Sequence, residues 1–141
     1  MMTRLVMVVS LLVSLSACGV CTAVGCQNSL GFQLGAAAQQ FGVDEPVEVR
    51  ACVGTQCATE TLTKRADNGQ TSTGSALFLD PSGVLVFTFT GTVSGAQTVS
   101  LRLTRGGSVV LDQTKEAVPF STLQPNGPVC PPTCHQANVT L

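Results

Sequence analysis

The chain has 141 residues, with seven basic residues against eight acidic, one His, and neither Trp nor Tyr. At 11% charged and 44% hydrophobic it falls outside the disordered class, which needs low hydrophobicity or a large net charge. A formal charge of -1 and 4% aromatics leave neither a basic patch for phosphates nor a stacking surface for bases, which excludes a nucleic-acid binder of the usual sort. The length allows one domain with a core large enough to fold alone.

At the N-terminus, Arg4 precedes an apolar run from Leu5 to Leu15, broken only by Ser10 and Ser14. As a helix that run would span about 16 Å, against the ~30 Å of a hydrocarbon core. It therefore reads as the core of a secretory signal rather than a membrane span, and no later stretch is long and apolar enough to cross. The signal ends in Leu15-Ser16-Ala17-Cys18. This segment resembles the lipobox of bacterial lipoproteins processed by signal peptidase II, in which an aliphatic and two small residues precede a cysteine. The resemblance implies a diacylglyceryl group on the Cys18 sulfur, cleavage before Cys18, and acylation of the new amino terminus. Two or three acyl chains anchor stably where one is marginal. It also implies that the membrane is the partner, through lipid on Cys18, at the extracytoplasmic face of a cell membrane or outer membrane. Gly19 is not the Asp that retains some Gram-negative lipoproteins at the inner membrane. The other reading is an ordinary secretory signal with a chance cysteine. Residues 1–17 are thus expected as signal, 18–27 as a short tether, and 28–141 as a single domain.

Seven cysteines less Cys18 leave Cys21, Cys26, Cys52, Cys57, Cys130 and Cys134, an even number that argues for three disulfides outside the cytoplasm. Val47, Val49 and Ala51 alternate with Glu48, Arg50 and Cys52, and Ala58, Glu60 and Leu62 alternate with Thr59, Thr61 and Thr63. Two strands around Val53-Gly54-Thr55-Gln56 would set Cys52 opposite Cys57, within bridging distance. The other four cysteines lie near the two ends of the chain. Local closure of Cys130 with Cys134 is opposed by Pro131-Pro132, since polyproline geometry would separate the pair by about 12 Å. A turn at Thr133 would remove that objection. The preferred alternative runs the first and last strands side by side and parallel, as in immunoglobulin-like sandwiches. That arrangement joins Cys26 to Cys134 and Cys21 to Cys130.

The body of the chain reads as strands and turns. Leu30, Phe32 and Leu34 alternate with polar or small residues, and Gly35 to Phe41 has room for one or two helical turns. Residues 66–74 read as a polar loop. Ala76 to Leu79 leads into the Asp80-Pro81-Ser82-Gly83 turn, and Val84 to Thr90 is an uncharged central strand. Val99, Leu101 and Leu103 mark a half-buried strand, which Gly106-Gly107 turns into Ser108 to Leu111. Turn signals every eight to twelve residues or so predict an all-β, immunoglobulin-like sandwich of about seven strands, stabilised by disulfides.

Chemistry is sparse. The one histidine, His135, adjoins Cys134, and no G-x-S-x-G is present. Cys52 and Cys57 stand four residues apart, where a catalytic dithiol has two between. Cys130-Pro-Pro-Thr-Cys134-His135 has one residue too many for haem attachment, and its thiols, though spaced for zinc, are expected to pair instead. No catalytic residue, metal or cofactor is expected. The Pro125 to Cys134 segment is expected as a structural clasp, with a rigid binding loop as the alternative. The expected role is non-catalytic: structural, or binding an envelope protein, glycan or small ligand. The alternatives are a secreted hydrolase or redox accessory, and an envelope inhibitor or immunity protein.

Overall fold

The computed structural model describes Cys21 and residues 24–141. Residues 1–17, expected as a signal, and Cys18, expected to be lipidated, lie outside the described residues. Ten strands form two five-stranded sheets: β1 (Asn28–Gln33), β2 (Pro46–Val53), β3 (Gln56–Lys64), β4 (Gln70–Ser72), β5 (Leu77–Leu79), β6 (Val84–Phe89), β7 (Gln97–Arg105), β8 (Ser108–Val118), β9 (Ser121–Leu123) and β10 (Cys134–Thr140). A 3-10 helix, Gly35–Gln40, follows β1. One sheet has the order β5-β6-β1-β10-β9 and the other β4-β3-β2-β7-β8. The molecule is the all-β sandwich that the alternation predicts.

The expectation of about seven strands corresponds to the long ones. Seven strands have six or more residues, and the other three, β4, β5 and β9, have three residues each and lie at sheet edges. β4 falls inside the stretch expected as a polar loop, because Gln70-Thr71-Ser72 pairs with Lys64-Thr63-Leu62. An edge strand with little buried surface needs no apolar alternation, so it leaves no period-2 signal to read.

The longer strands do show that signal. Leu30 and Phe32, Val47 and Val49, Leu85 and Phe87, and Leu101 and Leu103 all point inward and are almost wholly buried. Fully burying each such side chain stabilises the fold by about 1.5–3 kcal/mol. The Gly106-Gly107 hairpin holds φ at +56° and +80°, the left-handed pair that a two-residue turn between twisted strands favours.

Register fixes which loops share an end of the sandwich. β1 and β10 run parallel, from Ser29 opposite Gln136 to Gln33 opposite Thr140, while every other strand pair is antiparallel. Both strands therefore start at one pole. β6 finishes there, with Phe89 opposite Asn28, and β9 finishes there, with Leu123 opposite Cys134. The β2-β3 hairpin joins the same pole, since Gln56 bonds Gly91 and Thr92 in the loop after β6.

Candidate functional site

All three disulfides stand at this pole. Cys21 bonds Cys130 and Cys26 bonds Cys134, with Cα atoms 5.5 and 6.0 Å apart. Cys52 bonds Cys57, its direct register partner, at 4.1 Å. The turn between them is the two residues Gly54 and Thr55, because Val53 and Gln56 are themselves paired. The parallel contact of β1 and β10 brings Cys26 to Cys134 just before the paired residues begin, and Cys21 to Cys130 follows one step further out. The Pro131–Pro132 peptide is cis, so that step departs from the polyproline geometry expected of it.

Side chains reinforce the clasp. Asn28 Oδ1 accepts the His135 N–H at 2.8 Å, and Asn28 Nδ2 donates to the Gly91 carbonyl at 2.8 Å. Asn126 Nδ2 donates to the Pro131 carbonyl at 2.7 Å and to the Val24 carbonyl at 3.0 Å. Gln136 Nε2 reaches the Gln27 carbonyl at 3.4 Å. Within the segment expected as a short tether, Cys21, Val24, Cys26 and Gln27 are thus bonded to the domain.

The candidate chemical groups are placed apart or already committed. His135 is half-buried on β10, with Nδ1 3.5 Å from the Thr122 hydroxyl. Cys130 and Cys134 are bonded as disulfides, which removes the thiolates that a zinc knuckle would use. Among the described residues no three His, Cys, Asp or Glu side chains converge to hold a metal.

Two open hollows flank the Cys26–Cys134 bridge. One, about 620 Å³, lies over the outer face of the first sheet between Ser29, Phe78, Val86 and Gln136. The other, about 560 Å³, lies between Asn28, Ala76, Phe89, Pro132 and Thr133. Their volumes suit a small ligand, but both are shallow surface features. On the outer face of the second sheet, Arg50 and Arg102 are direct register partners beside a depression of about 310 Å³ that Glu48, Thr59 and Thr104 also line. Arg102 Nε is 3.9 Å from Asp112, and Arg50 Nη2 is 4.0 Å from the Cys57 sulfur.

Sequence reasoning missed Glu60, the buried acid of the domain at 7% exposed. It points inward from β3 and accepts hydrogen bonds from the Ser72 hydroxyl at 2.7 Å, Ala76 N–H at 2.8 Å and Leu77 N–H at 3.2 Å. It thereby ties the crossover from β4 to β5 onto the opposite sheet. The signal was present: Glu60 is in phase with core-facing Leu62. Its role is structural, with both carboxylate oxygens engaged by the chain's own donors.

No family model, curated protein or solved structure matches the chain.

Proposed function

We propose that the chain is a lipid-anchored lipoprotein of the cell envelope, held through Cys18 at the extracytoplasmic face of a membrane. On this reading the sandwich acts without catalysis, as a structural element or as a binder of an envelope protein, glycan or small ligand. The observation that carries it is the end of the N-terminal apolar run at Leu15-Ser16-Ala17-Cys18. The cysteine pairing supports it: the six cysteines from Cys21 onward are bonded to one another, so none is left as an internal partner for Cys18. Mass spectrometry of the N-terminal peptide tests it directly. The expected species begins at Cys18 and carries acyl groups, and Cys18→Ala should move the protein from the detergent phase to the aqueous phase. An unmodified peptide, or cleavage at another bond, refutes the anchor. Capture from envelope extract by the mature protein is the test for a binding role.

A redox accessory is the second reading, favoured by one contact. The Cys57 side of the hairpin disulfide is exposed and has the Arg50 guanidinium beside its sulfur, which would favour a thiolate there. An external dithiol would reduce the bridge to two cysteines and itself be left as a disulfide. Thiol labelling after mild reduction separates the readings. Selective labelling of Cys52 and Cys57 supports redox exchange, and complete resistance favours a structural bridge.

A further inference from the structure

The loops at the cystine pole share a property that is scattered along the sequence and collected only by the fold. Residues 18–43, 52–59, 68–79, 81–101 and 117–141 contain no Asp, Glu, Lys or Arg. These stretches supply the β2-β3 hairpin, the β4-β5 and β6-β7 connections, and the 124–133 loop, all of which gather at that pole. Glu60 approaches it but is buried, and the charges nearest to it are on strands rather than loops: Arg50 on β2, exposed with its guanidinium 4.0 Å from the Cys57 sulfur, and Glu116 on β8, beside the half-buried Lys115 opposite Val99. The opposite pole carries Asp44, Glu45, Arg65, Asp67 and Asp80 in its connections. Large apolar side chains also stand out at the neutral pole: Val129 is 86% exposed, Val24 54% and Leu123 40%.

The second observation is covalent reach. Cys18 is three residues from Cys21, which is bonded to Cys130 beside Val129. Three extended residues span at most about 11 Å. Without that bridge the next fixed point is Cys26, eight residues away, with a reach of about 29 Å.

We infer that the neutral pole rests on the lipid surface, with Val129 and Val24 entering the interface and the charged pole facing away. This inference rests on the proposed acylation of Cys18 and adds an orientation to it. An acyl group on Cys18 holds the pole within about 11 Å of the bilayer, a distance comparable to the head-group layer. Contact through the 124–133 loop around Val129 strips water from no ionised group of that loop, with Arg50 at the hairpin bridge the cation closest to the pole's loops, whereas the opposite pole would have to desolvate the five charges of its connections. The exposed valines gain by leaving water, as apolar residues do at an interface.

The chain contains no Trp, so a single introduced one is a clean reporter. Val129→Trp and, at the far pole, Val43→Trp replace exposed side chains, at 86% and 51% exposure. Each acylated protein is reconstituted into phosphatidylcholine vesicles whose acyl chains are brominated near the head group. Bromine should quench the Trp at 129 at least about twofold more than the Trp at 43. Removing the bridge with Cys21→Ala and Cys130→Ala should more than halve the difference. Equal quenching at both sites, in protein that floats with the vesicles, overturns the orientation and leaves the anchor standing. A blue-shifted but unquenched Trp at 129 also overturns it, by showing a protein surface over the pole, whether a second copy or another partner. Undiminished quenching without the bridge overturns the part given to the short tether. Protein that carries no acyl group and stays with the aqueous phase sinks both the anchor and the orientation.

Discussion

Cutting one of the two end-to-end disulfides should cost far less than the loop it closes suggests. Cys21–Cys130 and Cys26–Cys134 join residues 109 and 108 apart. In the chain-entropy account a lone cross-link over such a loop destabilises the unfolded state by about 5 kcal/mol. With one bridge in place, however, the other closes only a small ring, from Cys21 to Cys26, across the bridge, and from Cys134 back to Cys130. That ring has about eleven residues, for which the same relation gives about 3 kcal/mol. Either pair, Cys21→Ala with Cys130→Ala or Cys26→Ala with Cys134→Ala, should therefore lower the unfolding free energy by about 3 kcal/mol. All four substitutions together should remove about 8 kcal/mol, some 2 kcal/mol more than the two pair effects added. The assay is guanidinium denaturation of the chain from Cys18 onward, with Cys18→Ser in every variant and the hairpin disulfide intact. Strict additivity, within about 0.5 kcal/mol, would refute the shared-loop reasoning, as would a loss of about 5 kcal/mol from either pair alone.

The remaining predictions concern single groups. Cys52→Ala with Cys57→Ala opens a ring of about six residues and should cost about 2 kcal/mol by the same relation, read as a lower denaturation midpoint. Glu60→Ala strands the buried-side donors of Ala76 and Leu77 and should cost about 2–3 kcal/mol, with hydrogen exchange at those amides rising more than at Leu101. Ala117 holds φ at +55°, so Ala117→Gly should raise stability by about 0.5–1 kcal/mol, and no gain in melting temperature would contradict strain there. The Ser82 hydroxyl and the Ser82, Val84 and Gly83 backbone hold the Asp80 carboxyl below its ordinary value of 3.8. A depressed pKa means that the turn's contribution is present above that ordinary value and fades as pH falls through the lower one. Carboxyl carbon NMR should show the Asp80 midpoint moving up in Ser82→Ala, and an unmoved midpoint would remove Ser82 as the cause.

The sandwich was legible because its long strands bury one face each. Alternation at Val47, Val49 and Ala51, and again at Val99, Leu101 and Leu103, is a direct trace of that burial. The edge strands β4 and β9 escaped because strands at the rim are stabilised by ladder bonds that any residue supplies. The pairing of the chain's two ends was accessible because Cys26 and Cys134 each open a strand-like segment, with a second cysteine a similar distance upstream. Glu60 was passed over because alternation was read for apolar residues, and an acid in the inward phase is recognisable only once its donors at Ser72, Ala76 and Leu77 are brought to it by the crossover. The uncharged pole was hidden for a related reason: five neutral stretches far apart in sequence share an end only through strand register.

The parallel pairing of β1 with β10 also decides how a load on the proposed anchor enters the domain. Had β1 been tied to the fold by its ladder alone, tension on Cys18 would pull from the Asn28 end of that strand and open its bonds one after another. The two disulfides change the path. Force arriving at Cys21 passes to Cys130, and what continues to Cys26 passes to Cys134, so it enters β1 and β10 together. These strands are neighbours in the interior of a five-stranded sheet, flanked by β6 and β9. Pulled from the same end, they move as one unit, and separating that unit from β6 requires the β1-β6 ladder to yield while the core under Leu30 and Phe32 is exposed. A tether of three residues gives the domain little slack, and a covalent clasp at that point keeps the strand nearest the anchor from being the first to peel.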